Sequence, residues 1–119
     1  MRALKSVISH DGRTLTQLER SATVAIYELI GSQGTTYGYE VIRIKVKPEQ
    51  AVFGKLQPER EVYPSDSDFG RLAWSYGSQH RRQAFERYDA IVQAEHQNLH
   101  AHGPSAFQRA LRKEQLLCN

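Results

Sequence analysis

The sequence predicts an α+β fold, a small antiparallel sheet of three to four strands with a short helix and a long helix packed on one face, plus a C-terminal helix. Residues 1–47 contain segments in which apolar and polar side chains alternate, which is typical of strands. Residues from Ser78 onward instead repeat apolar side chains every three or four positions, as amphipathic helices do. With 119 residues, the chain has the usual length of one domain.

The composition excludes several classes of protein. Apolar residues make up 39% and charged residues 24% of the chain, as in globular domains rather than in disordered segments. Cys118 is the only cysteine, so no intrachain disulfide can form and a reducing compartment is indicated. No apolar run is long enough for a signal peptide or a membrane span. We therefore expect a cytoplasmic protein without membrane attachment.

Residues 1–20 have two interpretations, a loosely ordered arm or a β-hairpin. The hairpin interpretation rests on Asp11-Gly12, because both central positions of a type I′ turn require positive φ angles. Short strands on either side of this turn, at Leu4–Ile8 and Thr14–Leu18, would complete the hairpin. The sequence leaves both interpretations open.

The core domain is predicted to span residues 21–102, and its clearest element is a strand over Thr23–Ile30. Both faces of that strand are apolar except at Glu28, which indicates a central strand covered on both sides. A second strand over Tyr39–Lys47 alternates apolar and polar residues, so it should form an antiparallel hairpin with the first. Pro48 ends the second strand, because a proline nitrogen cannot donate a hydrogen bond to a sheet.

Three helices are predicted after the sheet. A short helix spans Asp66–Tyr76, where apolar residues recur at helical spacing, and a long helix runs over Ser78–Asn98. Gly103-Pro104 should end the long helix and start another, because proline suits the first position of a helix. Residues 103–119 then form a separate amphipathic C-terminal helix.

The segment before the long helix resembles a pattern in small proteins of bacteriophages, prophages and plasmids. In those proteins a β-hairpin leads to Tyr-Pro-Ser-x-x-x-Phe-Gly-x-x-Ala-Trp-x-Tyr and then to a helix. The resemblance covers residues 22–92; it implies a mobile-element origin and a small α+β fold, and it implies no activity. The matching residues are Tyr63, Pro64, Ser65, Phe69, Gly70, Ala73, Trp74, Tyr76, Ala84 and Phe85.

The aromatic residues of this segment have an architectural interpretation. Trp74, with Phe69 and Tyr76 at helical spacing, is expected to seat the short helix on the sheet. Gly70 is expected to permit close approach of the two elements. We therefore treat these four residues as structural rather than as part of a binding site.

Ionisable groups that could carry chemistry have simpler explanations, so we expect no enzyme, no cofactor and no metal. Four acids could act as paired carboxylates, but helix capping and a solvated strand edge explain them. They are Glu59, Glu61, Asp66 and Asp68. A metal site at His96 and His100, with His102 nearby, is the second alternative, because positions four apart on a helix can share an ion. No third ligand is evident in the sequence, and Cys118 is distant.

The first alternative function is nucleic-acid binding by a basic strand face. Arg43, Lys45 and Lys47 are expected in a row on the exposed side of the second strand, where they could contact phosphates. Tyr37 and Tyr39 nearby could stack on bases. The net charge is only +3, however, and lysines on an exposed strand also prevent aggregation between sheet edges.

The leading prediction is a non-enzymatic accessory protein of phage or mobile-element type that acts by protein–protein binding. Inhibition of a host defence protein, such as a CRISPR nuclease complex, belongs to this class. The C-terminal helix either folds back on its own core or contacts a partner, which is a host or phage protein or a second copy of the chain. Its apolar side carries Phe107, Leu111 and Leu117, and its polar side carries Arg109, Arg112 and Lys113.

Overall fold

A computed structural model describes the backbone of residues 1–110 and the side chains of residues 1–97. Within that part of the chain, strands come first and one long helix follows. The strands are β1 (Val7–His10), β2 (Arg13–Arg20), β3 (Val24–Ile30), β4 (Thr36–Arg43), β5 (Lys45–Lys47), β6 (Gln50–Val52), β7 (Lys55–Gln57), β8 (Arg60–Val62) and β9 (Ala73–Gly77). The helix is α1 (Arg81–Ala110), and short 3-10 turns lie at Asp66–Asp68 and Ser78–His80.

The main sheet is antiparallel, and its strand order is β1-β2-β3-β4-β9. The prediction of a central strand is confirmed, because β3 lies in the middle and Val24, Ala25, Ile26 and Tyr27 are fully buried. The antiparallel hairpin of β3 and β4 is confirmed as well. The sheet has five strands rather than three to four, because the N-terminal hairpin and β9 both join it.

Residues 7–20 form the β-hairpin that Asp11-Gly12 indicated. Asp11 has a φ of 51° and Gly12 a φ of 75°, as a two-residue type I′ turn requires. β2 continues to Arg20 through a bulge between Gln17 and Glu19, so it reaches further than the predicted strand. The interpretation of this region as a loose arm is therefore wrong for residues 7–20.

The short helix predicted over Asp66–Tyr76 is wrong. Only Asp66–Asp68 form a 3-10 turn, and Ala73–Gly77 pair with β4 as the edge strand β9. The open edge of β4 offers this segment hydrogen bonds that an isolated short helix could not match. Gly70 is required for its φ of 92° rather than for close approach, because a Cβ there would have no neighbour within 4 Å.

The second predicted strand is interrupted. β4 ends at Arg43, and after Ile44 the chain leaves the main sheet and pairs as β5 with β8. Ile42 is fully buried, but Val46, which shares the apolar side of the predicted alternation with Ile42, is 49% exposed. The alternating pattern therefore continues across a point where the strand changes partners, which periodicity alone cannot show.

Different parts of the chain pack on the two faces of the main sheet. On one face Ala25, Tyr27, Ile42 and Ala73 form a buried cluster, against which side chains from non-helical segments pack. These side chains are Leu4, Ile8, Leu15, Ile44, Tyr63 and Phe69. Phe69 therefore packs against strand residues of the sheet and does not seat a helix on it.

The first two turns of α1 lie on the other face. Arg81 stacks on the ring of Tyr39, with 5.5 Å between the guanidinium carbon and the ring centroid. Arg87 stacks on Trp74 at 4.6 Å and donates a hydrogen bond to the Tyr76 hydroxyl. The aromatic residues of β9 therefore contact the first two turns of α1, within Met1–Tyr88.

The backbone of α1 is continuous through Gly103 and Pro104 to Ala110, so the predicted break at these residues is absent. A proline removes one backbone donor and does not by itself end a helix that is otherwise favourable, although it costs about 3 kcal/mol. A separate C-terminal helix is not confirmed, and residues 111–119 lie outside the described part. Backbone contacts divide the chain into two units, Met1–Tyr88 and Asp89–Asn119.

Candidate functional site

β5 to β8 form one two-stranded ribbon, residues 45–62, which we call the β-arm. Lys47 opposes Arg60 and Gln50 opposes Gln57, three positions further along each strand, so both ladders share one register. Between the ladders lie Pro48 and Pro58, whose nitrogens cannot donate hydrogen bonds. Each strand of the β-arm spans about 25 Å at the usual rise per residue. None of its pairing is with the main sheet.

The tip of the β-arm is a tight turn with an exposed phenylalanine. Phe53 has a φ of 52° and Gly54 a φ of 77°, so both central positions are left-handed. The Phe53 side chain is 101% exposed, and Leu56 beside it is 68% exposed. The tip thus presents apolar surface that the fold does not use.

Phe53 occupies a position that ordinarily belongs to Asn, Asp or Gly. A side chain with a Cβ in the left-handed region costs about 1–2 kcal/mol, and for a bulky residue this conformation is an outlier. No packing offsets that cost, because the ring is fully exposed. Backbone strain and exposed apolar surface at one residue are typical of a binding site.

An ion pair holds the base of the β-arm against the sheet. Two guanidinium nitrogens of Arg20 donate to the two carboxylate oxygens of Glu61 at 2.8 and 3.1 Å, and the backbone N–H of Leu4 donates to the same group at 2.9 Å. The Glu61 side chain is only 13% exposed. The hydrogen bonds from Arg20, followed by that from Leu4, lower the pKa of Glu61 to about 2.

Asp68 fixes the other strand of the base. It is 3% exposed and accepts hydrogen bonds from the Lys45 ammonium at 3.0 Å and from the backbone N–H of Ser65 at 2.9 Å. Arg71 adds a contact at 3.2 Å. The Ser65 backbone bond, then the Lys45 bond, lower the pKa of Asp68. Asp68 thus caps the 3-10 turn at Asp66–Asp68 instead of the predicted helix, and it also binds β5.

The Glu61 ion pair makes stability depend on pH in a defined direction. A lowered pKa in the folded state stabilises the protein above the ordinary carboxyl pKa, and this contribution is lost as pH falls toward 2. We expect Glu61→Gln to lower the free energy of unfolding at pH 7 by about 2 kcal/mol. The gap between variant and parent should shrink between pH 5 and pH 2, measured by urea unfolding. Glu59→Gln on the same ribbon is the control, and a pH-independent gap would contradict the assignment.

A third acid, Glu40, and Tyr63 join the segment after the β-arm to the sheet. The Tyr63 hydroxyl donates to the Glu40 carboxylate, and its ring meets Tyr27 edge-on with centroids 5.2 Å apart. Burial raises the pKa of Tyr63, and the Glu40 carboxylate raises it further. Burial also raises the pKa of Glu40, against the hydrogen bonds from Tyr63 and Ser75. This arrangement stabilises the fold, because these groups satisfy one another.

The residues proposed for nucleic-acid binding are divided between two sheets. Arg43 belongs to β4, whereas Lys45 and Lys47 belong to the β-arm, and Lys45 is paired with Asp68. Tyr39 is only 5% exposed and lies beneath Arg81, so its ring is not open to a base. Tyr37 is 42% exposed. The three cations therefore do not lie on one continuous strand, as the prediction had them.

The other predicted site residues lie mostly beyond the described side chains. Phe107 and Arg109 belong to the part of α1 for which only the backbone is described. The remaining predicted residues lie outside the described part of the chain, namely Leu111, Arg112, Lys113, Leu117 and Cys118. His96 is exposed on α1, while the side chains of His100 and His102 are not described. Among residues 1–97 no group of three potential ligands has the geometry of a metal site.

Comparisons of the chain with protein-family models, with curated proteins and with solved structures give no match. In the described part of the chain, no helix is both long and apolar enough to cross a membrane. The candidate site therefore rests on the geometry of the β-arm.

Sequence reasoning missed the β-arm tip, although a signal was present. Val52-Phe53-Gly54-Lys55 places a glycine at the second position of a possible two-residue turn, midway between Pro48 and Pro58. The same residues also predict a short edge strand at Ala51–Phe53, an interpretation that places Phe53 within the strand. An aromatic residue at a turn position is uncommon, so the strand interpretation prevailed.

Proposed function

We propose that the protein is a non-enzymatic binding module that contacts another protein through the tip of the β-arm. The observation that carries this proposal is Phe53, which combines a left-handed backbone with a fully exposed ring. A fold under selection for stability alone would have Asn or Gly at this position. An apolar pocket on a partner would bury the ring, and the favourable free energy of that burial would stabilise the complex.

The β-arm suits a protein partner better than a membrane surface. Residues 45–62 carry four cations and three anions, so the β-arm lacks the cluster of cations that attracts a protein to anionic headgroups. Phe53 and Leu56 are the large exposed apolar side chains of the tip. Their apolar surface is large enough to anchor the tip in a protein pocket but too small for stable insertion into lipid. The tip is held on a paired ribbon, so little conformational entropy is lost on docking.

The resemblance of residues 22–92 to phage and plasmid proteins supports a mobile-element setting for this binding. In that setting the partner is a host or viral protein, and inhibition of a defence complex is one form of the activity. The arrangement of Arg43, Lys45 and Lys47 gives the nucleic-acid alternative less support than the sequence did. Capture with and without nuclease treatment distinguishes protein binding from nucleic-acid binding.

The test is capture of proteins from bacterial lysate by the full chain and by Phe53→Asn. A partner bound at the tip should stay on the parent protein after nuclease treatment and at moderate salt, and should be absent from the variant. The captured protein is then purified, and its Kd for each chain is measured. Val7→Thr, which removes an exposed apolar side chain from the edge strand β1, is the matched control and should behave as the parent.

Three outcomes would contradict the proposal. Retention of the captured protein by Phe53→Asn would show that the tip is not the contact. Loss of all captured material after nuclease, with a steep salt dependence, would favour nucleic-acid binding. Sedimentation with phosphatidylserine vesicles that depends on Phe53 would favour a membrane surface.

A further inference from the structure

An open groove of about 310 Å³ lies where the N-terminal segment passes β8 at the base of the β-arm. Its apolar lining includes Leu4, Ile8 and Tyr63. The backbone on both sides is fixed, since Arg2 exchanges hydrogen bonds with Glu59 and Glu61 and the carbonyl of Lys5 accepts one from Tyr27. The groove is therefore preformed, and its volume is within the range of small-molecule sites.

The groove also contains cations without counterions. Arg2, Lys5 and Arg60 line it, and Arg2 and Arg60 are backbone partners in a parallel bridge, so two cationic residues start from the same point of the groove. The Arg60 guanidinium donates to the Pro58 carbonyl at 3.3 Å, which is neutral and leaves its charge without an anion. Among the described residues, no carboxylate oxygen lies within ion-pair distance of these cations. Glu61 is part of the same lining, but Arg20 and Leu4 already engage its carboxylate. A bound anion would give these cations a counterion.

We propose that this groove binds a small anionic amphiphile, namely a carboxylate on an aliphatic body. The carboxylate would be held by Arg2, Lys5 and Arg60, and the aliphatic body would lie on Leu4, Ile8 and Tyr63. A ligand needs both parts to match the whole lining. An inorganic anion would leave the apolar side chains exposed, and a neutral apolar ligand would leave the cations unpaired. The site is separate from the tip of the β-arm and does not depend on the function proposed for it.

The test is a titration of the isotope-labelled full chain with octanoate, followed by amide chemical shifts. Octanoate should give saturable shifts confined to residues 2–8 and 60–63. Octan-1-ol has the aliphatic chain without a charge, and inorganic phosphate has the charge without a chain. Each should bind at least about tenfold more weakly than octanoate. Arg60→Gln and Lys5→Gln should each raise the Kd for octanoate about five- to tenfold. Arg82→Gln, a change of an exposed cation on α1, is the matched control and should leave the Kd unchanged.

Several results would overturn the assignment. Shifts that do not saturate, or that spread over the whole sheet, would mean non-specific association. Equal binding of octan-1-ol, or an unchanged Kd in both groove variants, would show that the cations do not recognise the ligand. Phosphate binding as tight as that of octanoate would show a simple anion site with no role for the apolar lining. Lys5 is exposed, so its variant keeps the test decisive if Arg60→Gln unfolds the base of the β-arm.

Discussion

Phe53→Asn should make the protein more stable and remove its partner binding at the same time. Asparagine tolerates the left-handed region, so the free energy of unfolding should rise by about 1 kcal/mol. The Kd for the captured partner should rise at least about 30-fold, as expected for the loss of a central aromatic anchor. Urea unfolding and titration of the purified partner measure the two quantities independently.

A second variant separates the backbone effect from the side-chain effect. Phe53→Ala removes the ring but keeps a Cβ in the left-handed conformation, so it should lose binding without gaining stability. If Phe53→Asn and Phe53→Ala are both less stable than the parent, the ring contributes to the fold and the exposed tip is not a functional adaptation. If both variants bind normally, the contact lies elsewhere.

Gly38→Ala should destabilise the protein by about 1–3 kcal/mol and loosen β9. A Cβ at Gly38 would lie 2.7 Å from the backbone oxygen of Tyr76, and backbone cannot move aside as a flexible side chain can. Gly38 pairs with Gly77 across β4 and β9, so the clash falls on the ladder that attaches the edge strand. Urea unfolding and hydrogen exchange of the amides in Ala73–Gly77 measure the effect.

Gly31→Ala is the matched control for this change. A Cβ at Gly31 would have its nearest neighbours at 3.7 Å, which is ordinary van der Waals contact. We expect its effect on the free energy of unfolding to stay within about 0.5 kcal/mol. Equal stabilities of the two variants would mean that β9 does not approach β4 as closely as the structure has it.

The same approach of β9 to β4 explains the largest error of the sequence analysis. Phe69, Ala73 and Tyr76 fit a helical period, but Trp74 and Tyr76 also alternate with Ala73 and Ser75 as in a strand. For so short a segment the two periods cannot be distinguished. Pairing with β4 makes Ala73–Gly77 a strand. The edge of β4 can accept this segment because Gly38 carries no side chain there.

The sequence by itself determined the elements whose signals are local. Asp11-Gly12 specified the N-terminal turn through its φ angles, and the two apolar faces of Val24–Ile30 specified the centre of the sheet through burial. Tertiary structure alone decided that Lys45 leaves β4's sheet, that Glu61 meets Arg20 and that Phe53 stands exposed at the tip of the β-arm. The physical reason is that strand partners, ion pairs and exposure depend on residues distant in the chain, whereas turn chemistry and periodicity depend on neighbours.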